Sequence, residues 1–243
     1  MNHYKSSAEL KAMAKEQLFR KYSTAVGAFL ATTAITLFMA SIPAFMIPQG
    51  SIIYRIIYYM VSFIISLFTG IFSSGLAFFY LKIACGQPVS VSDIFFGFRL
   101  HPDKALLMQL VLTAASYLCT VPALIFQWLY FNGGNVFYML FMSISFVIGT
   151  AILIFVSLLF SQAFYLLQDF PEYQTKELLK MSRHMMKGHK GRLFYIELSF
   201  IPLFLLGILS CCIAFLWIIP YMNATMANFY MDLVKNQSPS QRN

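Results

Sequence analysis

Four polar side chains near the end of the chain, Tyr221, Thr225, Asn228 and Asp232, are spaced by four, three and four residues. Residues at such intervals share one face of a helix. Their neighbours are apolar, and polar groups inside a membrane face the bundle interior, a cavity or one another. Glu197, early in the preceding apolar segment, falls at a depth similar to Asp232. Two carboxylates at neighbouring helix ends could bind a cation, relay a proton or hold a basic headgroup. The plainer alternative pairs Glu197 with Lys190, Arg192 or another loop cation and bonds Thr225 and Asn228 to adjacent helices.

A second constellation is cationic. The stretch from Asp169 to Arg192 holds six of the 17 Lys and Arg residues, with Leu178, Met181 and Met185 at helical spacing. An amphipathic helix of this kind presents Lys180, Arg183, Lys187, Lys190 and Arg192 to anionic lipid headgroups or to a partner protein. Other chemistry finds no support. Cys85, Cys119, Cys211 and Cys212 show no metal-ligand spacing, and His3, His101, His184 and His189 are scattered. There is no Gly-rich phosphate loop, no GxSxG and no HExxH. The expectation is a non-enzymatic protein without metal or cofactor.

What must position these residues is a set of membrane spans. Apolar residues make up 59% of the 243 and charged residues 11%, against about 45–50% and about 25% in ordinary soluble domains. The net charge of +8 fits basic loops facing an anionic leaflet, and nucleic acid is not expected. Apolar stretches long enough to cross a bilayer run at about 25–47, 56–81, 105–131, 136–167, 193–210 and 213–233. The fold class is therefore all-α: a polytopic integral membrane helix bundle of six spans, or five if the last stretch does not divide. Amphipathic cytoplasmic helices are expected at about 7–21, 90–99 and 171–187. Ser6 with Glu9 and Ser90 with Asp93 have the form of capping boxes, and Asp169 is expected to cap the third helix with Pro171 in its first turn.

With six spans, both termini lie inside and every Lys and Arg except Arg55 is cytoplasmic, as the positive-inside rule asks. Pro48-Gln49-Gly50 and Asn132-Gly133-Gly134-Asn135 then form outer turns. Ser62, Ser66, Gly70 and Ser74 make a small-residue stripe suited to close helix packing. A weak threefold rhythm runs through the layout. Arg20-Lys21, Arg99 to Lys104 and Lys187 to Arg192 each end a cytoplasmic segment and feed a hairpin of two spans, with slight residue identity between units.

The run Lys187-Gly188-His189-Lys190-Gly191-Arg192-Leu193-Phe194, then Leu198 to Ile201, Leu216 to Tyr221, Thr225, Ala227 and Phe229-Tyr230 carry a resemblance. They are similar to the C-terminal signature of a bacterial integral membrane family, domain of unknown function 975. Ser6 to Lys11 and Asp93 to Phe98 resemble its other recurring patches. Pro202-Leu203 stands where that pattern has Gly-Trp. The resemblance implies a plasma-membrane bundle without an assigned activity. It also implies a distant likeness to membrane domains that accompany glycerophosphodiester phosphodiesterases, with no catalytic residues to carry over. The leading expectation is a scaffold or regulatory protein whose basic cytoplasmic face binds anionic lipid or a protein partner. The alternatives are a small-solute or ion transporter using the stripe in the last span, and a lipid-modifying enzyme.

Overall fold

The computed structural model describes residues 4–46 and 52–237. The expected turn Pro48-Gln49-Gly50, His3 and Arg242 lie outside the described residues, as does the side chain of Arg55. Among the described residues the chain is all helix and turn, without a strand. Ten α-helices follow in order: α1 (Ser7–Leu18), α2 (Tyr22–Met46), α3 (Ile52–Ala84), α4 (Pro102–Gly133), α5 (Val136–Phe160), α6 (Ala163–Asp169), α7 (Thr175–Met185), α8 (Lys190–Leu198), α9 (Ile201–Leu209) and α10 (Phe215–Gln237). A 3₁₀ helix, Val91–Phe98, sits between α3 and α4.

Among the described residues five segments are long and apolar enough to cross a membrane: Tyr22–Pro43, Ile56–Ala84, Pro102–Gly133, Val136–Asp169 and Lys190–Leu209. Helices satisfy every backbone group internally, which hydrocarbon demands of a spanning segment. The protein is a multi-pass helical membrane protein. Arg192 at the start of α8 pairs with Asp232 in the last turns of α10, so α10 runs back antiparallel to α8 and α9. Expected as a sixth span, α10 is a long helix but is not among these five segments, being more polar because it carries the stripe.

Two of the expected spans are interrupted. Val136–Asp169 breaks at Ser161-Gln162 between α5 and α6, and Lys190–Leu209 breaks at Ser199-Phe200 between α8 and α9. Pro202 explains the second break. It has no N–H to donate to residue 198 and its ring excludes that carbonyl, so the helix restarts with Pro202 in its first turn. The Asn132–Asn135 turn forms as expected, with Gly134 left-handed at φ 63° and the Asn135 side chain accepting from the Phe137 N–H at 3.0 Å.

The short helices are more specific than their sequence suggests. Ser6 and Glu9 form the expected box, with the Ser6 N–H donating to Glu9 Oε2 at 2.6 Å. Ser90 and Asp93 form another, on a 3₁₀ helix rather than an α-helix. The third helix corrects its expected start. It begins at Thr175, capped by Gln174 and Glu177, and not at Asp169-Pro171. Asp169 instead ends α6 and accepts the Tyr230 hydroxyl.

These short elements and the basic residues gather at one end of the bundle, here called the basic end. Lys21 donates to the Gln87 carbonyl at 2.8 Å, and Lys104 to the carbonyls of Pro171 and Tyr173. The core lies there too. Among the described side chains of α3 the buried residues run from Gly70 to Ile83, and α5 buries Gly149 and Leu158 among its 25 residues. The small-residue stripe of α3 packs as expected at two positions. Gly70 faces the backbone and Gln109 of α4, while Ser74 Oγ accepts from Gln168 at 2.8 Å.

Candidate functional site

The α10 stripe is covered by the N-terminal helix. Leu10, Ala14 and Leu18 bury one face of α1, and Gln17, three residues after Ala14, falls beside them. Its side-chain amide meets that of Asn228 in a reciprocal pair: Gln17 Nε2 donates to Asn228 Oδ1 at 3.1 Å, and Asn228 Nδ2 to Gln17 Oε1 at 2.6 Å. Gln17 also donates to the Ala84 carbonyl of α3 at 3.1 Å. Satisfying both amides removes the penalty for burying them, which otherwise runs to about 1–3 kcal/mol per orphaned group.

Above this pair Thr225 is fully buried and donates to the Tyr221 carbonyl of its own helix, while the Tyr221 ring meets Phe200 edge-on at 5.3 Å. Below it, Asp232 is 5% exposed and accepts from Arg192 and from the Lys5 backbone N–H at 3.3 Å. Arg192 also donates to the Lys5 carbonyl. One ion pair thus holds both main-chain groups of Lys5, just before the Ser6 cap. The guanidinium lies between the rings of Tyr4 and Phe229, at 5.3 and 5.0 Å, a desolvated setting in which cation–π attraction is strengthened.

Lys11 completes the joint. The α8–α9 break leaves the Ser199 carbonyl without its helical donor, and Lys11 Nζ supplies one at 3.1 Å while lying over the Phe200 ring. Burial lowers its pKa. His189, whose ring packs on Tyr4 at 4.5 Å, is also held below the ordinary histidine range. Burial is the main cause and Arg192 adds to it, against the pull of Asp232.

Glu197 is not brought to this joint. It is exposed on α8, whereas Asp232 is enclosed by Arg192 and Lys5, so the two-carboxylate arrangement does not form. The cationic set divides as well. Lys180, Arg183 and Lys187 are exposed, while Lys190 lies over the Phe155 ring at 4.5 Å and Arg192 belongs to the joint. The partners that sequence reasoning missed are Gln17, Lys11 and the Lys5 backbone. The first had a signal, because the period of Leu10, Ala14 and Leu18 puts Gln17 on the buried face. A backbone partner has none.

Residues 1–237 match the model of the family described as Protein of unknown function (DUF975). The chain belongs to that family. No curated protein and no solved structure matches it. Several residues of the family signature meet in the joint of this DUF975 protein. Arg192, Thr225 and Phe229 are parts of it, and Gly188, left-handed at φ 86°, turns the chain into α8.

Proposed function

We propose that this DUF975 protein is a non-enzymatic protein of the bacterial plasma membrane whose basic end faces the cytoplasm and binds anionic lipid headgroups. The observation that carries the reading is α7. Leu178, Ser182 and Met185 are buried against the bundle, and Ser182 Oγ donates to the Leu159 carbonyl at 3.0 Å. Lys176, Lys180, Arg183 and Lys187 remain exposed. A helix fixed by one face and cationic on the other lies level with the headgroups, and each such cation adds about 1 kcal/mol of attraction to an anionic leaflet. The positive-inside rule supports the orientation, with α10 as a sixth span and both termini in the cytoplasm.

The test is native mass spectrometry of the protein extracted from anionic membranes. Replacing Lys180, Arg183 and Lys187 with Gln should strip most of the retained phosphatidylglycerol and leave the fold unchanged. Undiminished retention overturns the lipid reading. A protein retained by the parent and lost from the variant redirects the same face to a protein partner.

A further inference from the structure

The threefold rhythm has a structural basis. N-caps stand at Ser6, Ser90 and Gln174, from 6 to 90 and from 90 to 174, 84 residues each. Each is followed by an acid at the third position, Glu9, Asp93 or Glu177, and then by a fully buried aliphatic, Leu10, Ile94 or Leu178. A left-handed residue next turns each chain segment into its hairpin: Arg20, His101 and Gly188. The returning spans carry Phe79-Tyr80-Leu81, Phe164-Tyr165-Leu166 and Phe229-Tyr230-Met231 near their basic ends.

The packing is cyclic in the same order. The short helix of each unit rests on the returning span of the unit before it: the 3₁₀ helix on α3, α7 on α6, and α1 on α10, which closes the ring. Each returning span also packs on the outgoing span of the next unit, α3 on α4, α5 on α8 and α10 on α2. At the centre the tyrosines of the returning spans meet in packed core. Tyr80 and Tyr230 are buried, the Tyr165 and Tyr230 rings stack at 5.3 Å, and Tyr165 packs into both core clusters, one holding Tyr80 and the other Tyr230.

On the outside the units share a cation. Nine residues past each cap stand Lys15, Arg99 and Arg183, all three exposed. Between the acid and the left-handed turn, this is the one position at which every unit carries a charge. The three take no part in the ion pairs Lys82–Asp93 and Arg192–Asp232.

Packing does not call for a cation at this position, but its place in the chain does. Each short helix is seated by its buried aliphatic, and the left-handed residue that starts the outgoing span follows the cation within five residues. The cation therefore stands where the chain enters the membrane, level with the headgroup phosphates. Exposed aromatics accompany it in the first two units. Phe19, four residues after Lys15, is 71% exposed, and Phe95 and Phe98 beside Arg99 are 42% and 44% exposed. Cations and aromatics together at this level anchor a helix in the interface. A helix end also favours a cation through its dipole, and Lys15 and Arg183 lie in last turns while Arg99 caps the 3₁₀ helix. That effect accounts for a charge but not for the exposed rings beside it.

We propose that the chain is three copies of one unit around a pseudo-threefold axis, and that Lys15 and Arg99 are two further sites for anionic phospholipid, equivalent to Arg183 on α7. The proposal rests on the lipid reading of α7 and extends it to the first two units. A lone cation matches a lipid with one phosphodiester charge, such as phosphatidylglycerol. The larger share of lipid belongs to α7, where Lys176, Lys180 and Lys187 are exposed as well.

The experiment counts the phosphatidylglycerol molecules retained by the full chain in native mass spectra. Lys15→Gln and Arg99→Gln should each remove one lipid, and the double variant two. Lys15→Arg with Arg99→Lys should keep both. Phosphatidylcholine should not fill these places, and equal filling overturns recognition by charge. An unchanged count in the double variant overturns the two sites. The lipid reading of α7 survives that failure if replacing Lys180, Arg183 and Lys187 with Gln still sheds lipid, and no loss from either variant overturns both. A double variant that melts lower yet retains its lipid assigns the cations to the helix dipoles and overturns the proposal.

Discussion

At the scale of single residues, Asp232 holds the joint together. Its carboxylate is nearly enclosed and meets Arg192 and the Lys5 N–H, so Asp232→Asn leaves a largely desolvated guanidinium without its counter-charge. Breaking a buried pair from one side costs about 3–5 kcal/mol, and the partial exposure of Arg192 puts this case at the lower end. The variant should melt several degrees lower in detergent, and α1 should lose much of its hydrogen-exchange protection. Unchanged exchange over Ser7–Leu18 would show that the apolar face alone holds the helix. His189 supplies a pH dependence. Its folded pKa lies below the ordinary value of 6.5, so the folded state disfavours the proton that the unfolded state accepts. Stability is then complete above the unfolded pKa and declines as pH falls through it toward the lowered folded value. His189→Gln should flatten that decline in thermal melts taken from about pH 7.5 to about pH 5.

At the scale of elements, the 3₁₀ helix depends on two glycines. A Cβ at Gly97 would fall on the Ile71 carbonyl of α3, and one at Gly75 on the Ile94 carbonyl of the 3₁₀ helix. Both obstacles are backbone, which cannot turn aside as a side chain can. Gly97→Ala should therefore destabilise by about 1–3 kcal/mol or more. Gly191→Ala in α8, where nothing lies within 4 Å, should be neutral or stabilising by about 0.5–1 kcal/mol. Thermal unfolding of the two variants side by side measures this, and equal midpoints would mean that the 3₁₀ helix is not seated as described. The same close approach lets Phe78 stack on Phe96 at 3.9 Å and Phe72 meet Phe98 edge-on. The aromatic run after Asp93 thus has a packing role, while Phe95 and Phe98 stay partly exposed.

At the scale of the whole molecule, the spans were legible because about 20 apolar residues in a row have few alternatives to crossing a membrane. The cap boxes at Ser6 and Ser90 were legible because capping is local chemistry. The start of α7 was missed because two acids competed for it, and Asp169 was claimed by Tyr230, a residue 61 positions away. The α10 stripe was found from its period, but its occupant was not. Nothing local says that Asn228 meets Gln17 across 211 residues, or that Asp232 holds the backbone of Lys5. The threefold rhythm shows the same division. The 84-residue interval and the repeated Phe-Tyr pairs stand in the sequence, yet residues this ordinary carry weight only once the short helices close a ring. The sequence by itself determined a multi-pass helical membrane protein, its basic segments and one polar helix face, since periodicity and hydrophobicity act over short range. Only the tertiary structure decided which groups satisfy that face, which cations stay free and where the three tyrosines meet, because buried polar partners are chosen by packing between distant segments.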